Sequence, residues 1–174
     1  MYLGLDISTS ITGFTVLDKS GDVLLCDHID LTKLDNMLQK ARRVQNIFYD
    51  LVTLYAIEQI WVEESLQMFA SGMSSAKTLS TLSKFNGIVS WIMWDKLGIE
   101  PNYISATSAR KECGLTVPKG KRGKEVVMEY MLDKQKWFVV EHTKTGKIKP
   151  YCYDRADSFI VAQAGFLRCT KEKN

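Results

Sequence analysis

Leu3, Leu5 and Ile7 alternate with Tyr2, Gly4 and Asp6 at the start of the chain, and side chains spaced by two fall on opposite faces of a β-strand. One face of that strand is committed to a core. Asp6 is sent to the other. Ser8-Thr9-Ser10 and Gly13 then form a polar corner, and Phe14-Thr15-Val16-Leu17 resumes a β-branched and aromatic run that stops at the turn formers Asp18-Lys19-Ser20-Gly21-Asp22. Met1 to Asp18 therefore reads as a hairpin, with a third strand at Val23 to Cys26. A lone strand-end acid is usually a solvated surface group. It becomes a place for a metal ion or a phosphate only if further acids reach it.

From Leu38 the period changes: Leu38, Ala41, Val44, Gln45, Phe48, Leu51, Val52 and Tyr55 recur at three and four, an amphipathic helix of about five turns that Asp35 or Thr32 can cap. Gln59 to Ser65 follows as a short apolar run ending in Glu63 and Glu64, a buried strand reached by a crossover helix and hence a parallel partner. Ile60 and Val62 share one face; Trp61 and Glu63 share the other, so Glu63 sits in its strand as Asp6 sits in the first. Glu64 points the opposite way and is the weaker candidate.

Leu66 to Ser75 reads as a loop, and Ala76 to Leu97 as a long helix with small residues at Ser80, Ser83, Gly87 and Ser90. Its second half, Ile88 to Trp94, is apolar almost all round, which requires cover on every side, by a core or by a second copy of the chain. A strand at Pro101 to Ser105 leads into a short helix with Arg110 and Lys111, capped by Ser105 or Thr107. A basic loop spans Gly114 to Gly123, a helix Lys124 to Lys134, a strand Trp137 to Val140 and a basic turn Thr143 to Lys147. The last helix has Asp154 at its cap and Asp157 three residues on, placing both carboxylates in its first turn on one face.

The 174 residues suit one domain, residues 1–174, with a substantial core; 45% are hydrophobic and 25% charged, ordinary globular proportions. The net charge of +3 matters less than its clustering. Lys119, Lys121, Arg122 and Lys124 form one basic patch and Lys144, Lys147 and Lys149 another, which favours a polyanion partner. No apolar run approaches a membrane span, and Met1 leads straight into a strand without room for a signal or transit segment, so the expected location is the cytoplasm and no membrane partner is expected. Cys26, Cys113, Cys152 and Cys169 are far apart and lack a C-x-x-C pair, which argues for reduced thiols rather than zinc or disulfides. His28 and His142 are isolated and read as surface or packing residues.

Asp6, Glu63, Asp154 and Asp157 thus come from a first strand, a fourth strand and the last helix. Four converging carboxylates cannot all remain ionised without cations. Hard divalent ions with oxygen ligands meet that need, and two Mg²⁺ ions about 4 Å apart would support in-line phosphodiester displacement by water.

These residues resemble the RuvC-type Holliday junction resolvases of the ribonuclease H-like superfamily. The resemblance rests on Leu3-Gly4-Leu5-Asp6-Ile7-Ser8 with Thr12-Gly13-Phe14, on Trp61-Val62-Glu63-Glu64, on Lys84-Phe85-Asn86-Gly87, and on Asp154-Arg155-Ala156-Asp157-Ser158, in order over nearly the whole chain. It implies an α/β fold with a mixed five-stranded sheet flanked by helices on both faces. It also implies a homodimeric endonuclease that nicks two strands of a four-way DNA junction symmetrically, with two Mg²⁺ ions, replaceable by Mn²⁺, and no nucleotide cofactor. Asp6, Glu63, Asp154 and Asp157 match the family's metal-binding acids, and Lys111 and Lys124 fall where its members carry lysines near the scissile phosphate.

Lys119, Lys121 and Arg122 join these as candidate phosphate contacts, and Phe69 could wedge or stack at the crossover. The segment after Glu63 is longer than in bacterial members, and Trp137 to Tyr151 looks like an insertion, features that point to a phage source.

Three rivals remain at this level. The Gly4 to Gly13 hairpin also resembles the phosphate-binding turn of actin-like kinases, but these need a second lobe that 174 residues do not supply. A non-catalytic junction-binding module would keep the basic patches. The third is a nuclease of the same fold acting on other branched DNA or on RNA:DNA hybrids, although the second acid of a hybrid nuclease typically lies on a helix rather than on a strand.

Overall fold

A computed structural model describes residues 1–64 and 76–171. The strands are β1 (Tyr2–Asp6), β2 (Ile11–Leu17), β3 (Val23–Asp30), β4 (Gln59–Glu63) and β5 (Asn102–Ile104), and the helices are α1 (Met37–Leu54), α2 (Ala76–Leu97), α3 (Ala106–Glu112), α4 (Gly123–Lys134) and α5 (Pro150–Lys171). The sheet runs β3-β2-β1-β4-β5. β1, β2 and β3 pair antiparallel, whereas β4 pairs parallel with both β1 and β5. The fold is thus α/β with a mixed five-stranded sheet, as the sequence leads one to expect.

The period of two separates two cores. Leu3, Leu5, Ile7, Phe14, Val16, Ile60 and Val62 pack against Val44 and Phe48 of α1 and Phe85, Val89 and Met93 of α2. Tyr2, Leu17 and Trp61 face the opposite way, toward α3, α4 and α5, with Val127, Met131, Phe159 and Ile160. Asp6 and Glu63 belong to this second face.

Here α5 lies almost directly on the strands. A Cβ on Gly4 would meet Ala162 and the Ser158 carbonyl, one on Gly13 would meet the Asp154 carbonyl, and one on Gly165 would run into the Trp61 ring. Side-chain atoms at these points would hold the helix off the sheet. Buried hydroxyls of Thr15 and Ser158, 2.9 Å apart, fix its position along β2.

Several local expectations change. Asn36, not Asp35 or Thr32, caps α1, its side chain accepting from the Leu38 and Gln39 amides at 3.1 and 3.0 Å. β3 continues to Asp30. α5 starts at Pro150, a residue well suited to a helix start because its missing N–H would be unpaired there anyway, so Asp154 and Asp157 lie one turn further in than a cap at Asp154 implies.

Trp137 to Val140 does not form a strand. Phe138 is buried as a single anchor, and the segment's ladder reduces to a bridge between His142 and Ile148. Ser105 caps α3, accepting from the Ser108 amide at 3.1 Å. The four cysteines are free, and burial pushes the Cys113 thiol up to about 12. No helix among the described residues is long and apolar enough to cross a membrane.

Gly13→Ala puts a methyl against backbone, which cannot swing aside. We expect a loss of about 1–3 kcal/mol, the usual cost of overpacking. Thermal melting would read this as a fall of ~2–4 °C per kcal/mol; an unchanged melting temperature would mean that α5 is not seated on Gly13.

Candidate active site

Asp6 ends β1 and Glu63 ends β4, and the parallel register that pairs Leu5 with Val62 brings these ends side by side. Both carboxylates lie at the carboxyl ends of parallel strands, where open α/β sheets present their sites. Asp6 is also opposite Gly13 in the β1–β2 ladder, and Gly13 is where the Asp154 backbone comes down onto the sheet. Asp157, one helical turn on, is buried at 6% exposure. Asn86 of α2 donates to the Glu63 carbonyl at 3.4 Å and so tethers the strand end from the other face.

The electrostatics record this crowding. Burial, with the Glu63 and Asp157 charges adding to it, holds the Asp6 carboxyl well above the ordinary range. Burial, followed by the charge of Asp157, lifts Glu63 from 4.5 to about 7. Asp154 and Asp157 are raised by burial too, with Lys124 pulling both back.

Lys124, at the start of α4, places Nζ 3.3 Å from Asp157 Oδ2 and 3.6 Å from Asp154 Oδ1. Burial pulls its ammonium down, but Asp157, Asp6 and Asp154 outweigh that and keep it above the usual lysine value. Its side chain is 58% exposed, so solvent screens part of this attraction.

Arg110 is the site residue that the sequence reading passed over in favour of Lys111. Its charge lowers both Glu63 and Asp157, its Nε is buried without a hydrogen-bond partner, and its guanidinium lies against Gly123, the residue before Lys124. Lys111 is exposed on the other side of α3. The signal was present in the spacing. Ala109 is the buried anchor of α3, and Ala106, Arg110 and Cys113 continue its inward stripe at intervals of four and three, whereas Lys111 falls off it.

Lys119, Lys121 and Arg122 are exposed on the loop before α4, with Lys121 engaged by Glu129 at 2.8 Å. Glu64 is exposed beyond the end of β4. Phe69 lies outside the described residues.

When all four carboxylates are ionised, they outnumber the charges of Lys124 and Arg110 and leave the pocket negative. The donors are oxygens alone, the chemistry preferred by Mg²⁺ and Mn²⁺ rather than by softer ions. Among the described residues no three His, Cys, Asp or Glu side chains close into a metal-holding cluster as they stand. The two facts are compatible. Coulombic coupling acts over several ångströms, whereas Mg²⁺ ligation needs oxygens at about 2.0–2.1 Å, so side chains can share one electrostatic well without gripping an ion. The donor set fits a hard divalent cation.

The mixed five-stranded sheet, in the order β3-β2-β1-β4-β5 and packed by helices on both faces, matches the ribonuclease H-like fold. Within it the chain is similar in structure to RuvC of Thermus thermophilus. The structure of that protein in complex with a Holliday junction substrate matches at a TM-score of 0.67 and 11% identity, covering 98% of this chain and 94% of that one. Another T. thermophilus RuvC structure matches at 0.64 and 12%, covering 98% and 96%. The yeast mitochondrial Holliday junction resolvase matches at 0.61 and 14%, covering 99% and 80%. No family model and no curated protein matches the sequence.

Because Glu63 titrates near 7 when folded against 4.5 when free, the folded protein binds more protons than the unfolded chain between those values. Stability therefore falls as pH rises from about 4.5 through 7. Differential scanning fluorimetry without divalent ions is expected to give a lower melting temperature at pH 8 than at pH 5. Mg²⁺ at pH 8 is expected to recover part of the loss, and Asp6→Asn to raise the metal-free melting temperature while weakening the Mg²⁺ response. A flat profile with no Mg²⁺ effect would contradict the charge crowding described here.

Proposed function

We propose that this chain is a Mg²⁺-dependent, structure-selective DNA endonuclease that resolves four-way junctions by paired symmetric nicks. The observation that carries the reading is the gathering of Asp6, Glu63, Asp154 and Asp157 around Lys124, on a fold shared over almost its whole length with resolvases, one of them in complex with a Holliday junction substrate.

Asp6, Glu63, Asp154 and Asp157 are the residues that would hold the metal. A bound Mg²⁺ pair supplies activation of water and stabilisation of the leaving oxygen. Lys124 neutralises the non-bridging oxygens of the scissile phosphate, and Arg110, whose Nε is unpartnered, offers the fork geometry that suits a phosphate. Lys119 and Arg122 lie exposed on the same loop that leads to Lys124 and engage the flanking backbone.

Two symmetric nicks require two sites, and α2 offers the means. Trp91 and Trp94 are 55% and 53% exposed on it, and Trp91 lines a largely apolar groove with Met37, Lys84, Gly87 and Ile88. Isolated exposed apolar residues are ordinary, but two tryptophans on one helix favour a partner. A homodimer across α2, acting in the cytoplasm, is the assembly we propose.

Incubation with a synthetic four-way junction, a linear duplex and an RNA:DNA hybrid, with Mg²⁺ or chelator, tests the reading. Paired, chelator-sensitive nicks confined to the junction are expected; cutting of the hybrid alone, or junction binding without cleavage, would overturn it. Asp6→Asn is expected to cut at least ~10²-fold more slowly, the scale of losing one preorganised electrostatic contact, with junction binding retained. Trp91→Asp is expected to shift the mass in solution from dimer to monomer and to abolish pairing of the nicks.

A further inference from the structure

The segment between α4 and α5 has no part in the reading above. Residues His142 to Lys149 read His-Thr-Lys-Thr-Gly-Lys-Ile-Lys, without an acid among them. They close a tight hairpin: the Thr143 amide donates to the Lys147 carbonyl at 2.7 Å, the Gly146 amide to the Thr143 carbonyl at 3.0 Å, and Gly146 takes φ +80°, which glycine alone adopts without strain.

The base of this hairpin is braced from several directions. Lys149 pairs with Glu141 at 2.8 Å, and the Glu141 amide donates to Cys152 Sγ at 3.4 Å. Tyr151 stacks flat on His28 of β3, with ring centroids 4.0 Å apart and planes within 5°. Arg155 lies 5.0 Å from the Phe138 ring and donates to the Val139 and Cys26 carbonyls, both at 3.3 Å, locking the segment to the sheet. At the tip, Lys144 and Lys147 are exposed and pair with no described carboxylate.

We propose that the 141–149 hairpin is a phosphate clamp for a duplex arm of the DNA cut at the acid cluster, with Lys144 and Lys147 as its contacting cations. The proposal rests on the nuclease reading for the identity of that DNA. Two features select a phosphate backbone over an acidic protein. The tip holds only lysine, threonine and glycine, without the buried aromatic or aliphatic anchor that protein interfaces centre on, whereas phosphate contacts need only cations, hydroxyls and amides. The hairpin also runs directly into α5, which carries Asp154 and Asp157, so an arm held there is indexed to the acids by a braced backbone, and little ordering entropy is lost on contact.

The test uses the full chain, a four-way junction with chelator present for binding, and salt from 50 to 200 mM. K144A/K147A is expected to make the slope of log affinity against log salt shallower by about 1.8, roughly 0.9 per lost phosphate contact. The melting temperature should not change, the cleavage rate at saturating protein should be kept, and K144R/K147R should restore the slope. An unchanged slope while the wild type binds the junction would overturn the clamp and leave the nuclease reading intact. A shallower slope in a protein that binds but never cuts would keep the clamp and overturn the nuclease reading, and a wild type that binds no DNA would overturn both.

Discussion

The structure depends on how closely α5 approaches β1 and β2. Gly4 and Gly13 remove the side chains that would separate helix from sheet, and Thr15 and Ser158 set the helix along its length. A helix on a sheet normally rests on a layer of side chains; here its backbone touches the strands, so the Asp154 turn descends beside Asp6. Everything chemical in the molecule follows from that contact, because the two strand acids reach their helix partners only through it.

The contact has an electrostatic cost. Asp6, Glu63, Asp154 and Asp157 are all raised by burial and most of them by one another, so the ionised cluster opposes folding. Lys124 and Arg110 offset part of the repulsion, Lys124 from a half-exposed position and Arg110 with one donor unmatched. A site left underneutralised by its own side chains favours cationic occupants over neutral or anionic ones. Strain of this kind is retained where function needs it.

Much of this arrangement is legible in the residues. The alternation in Tyr2 to Ile7 and in Ile60 to Glu63 assigns both acids to one sheet face without reference to anything distant, since a strand's period is fixed by its backbone. The spacing of Asp154 and Asp157 likewise survives a shift of the helix start, because residues three apart share a face wherever the helix begins. Less was legible where a single tertiary contact outweighs a local tendency. Trp137 to Val140 has strong β character, yet Phe138 is captured beneath Arg155 and the segment finds no edge to pair with. Lys111 and Arg110 are neighbours of equal charge, and the burial of Ala109 turned the second inward.

The sequence by itself determined the faces: which side chains line each core, which acids share a side of the sheet, and where positive charge is concentrated. These follow from periods of 2 and 3.6, which are properties of the backbone alone. Only the tertiary structure decided distance and rotation: that α5 sits against Gly13, that Lys124 lies among the carboxylates, and that the basic hairpin is braced on β3. Those depend on packing between segments remote in the chain, which no local pattern encodes.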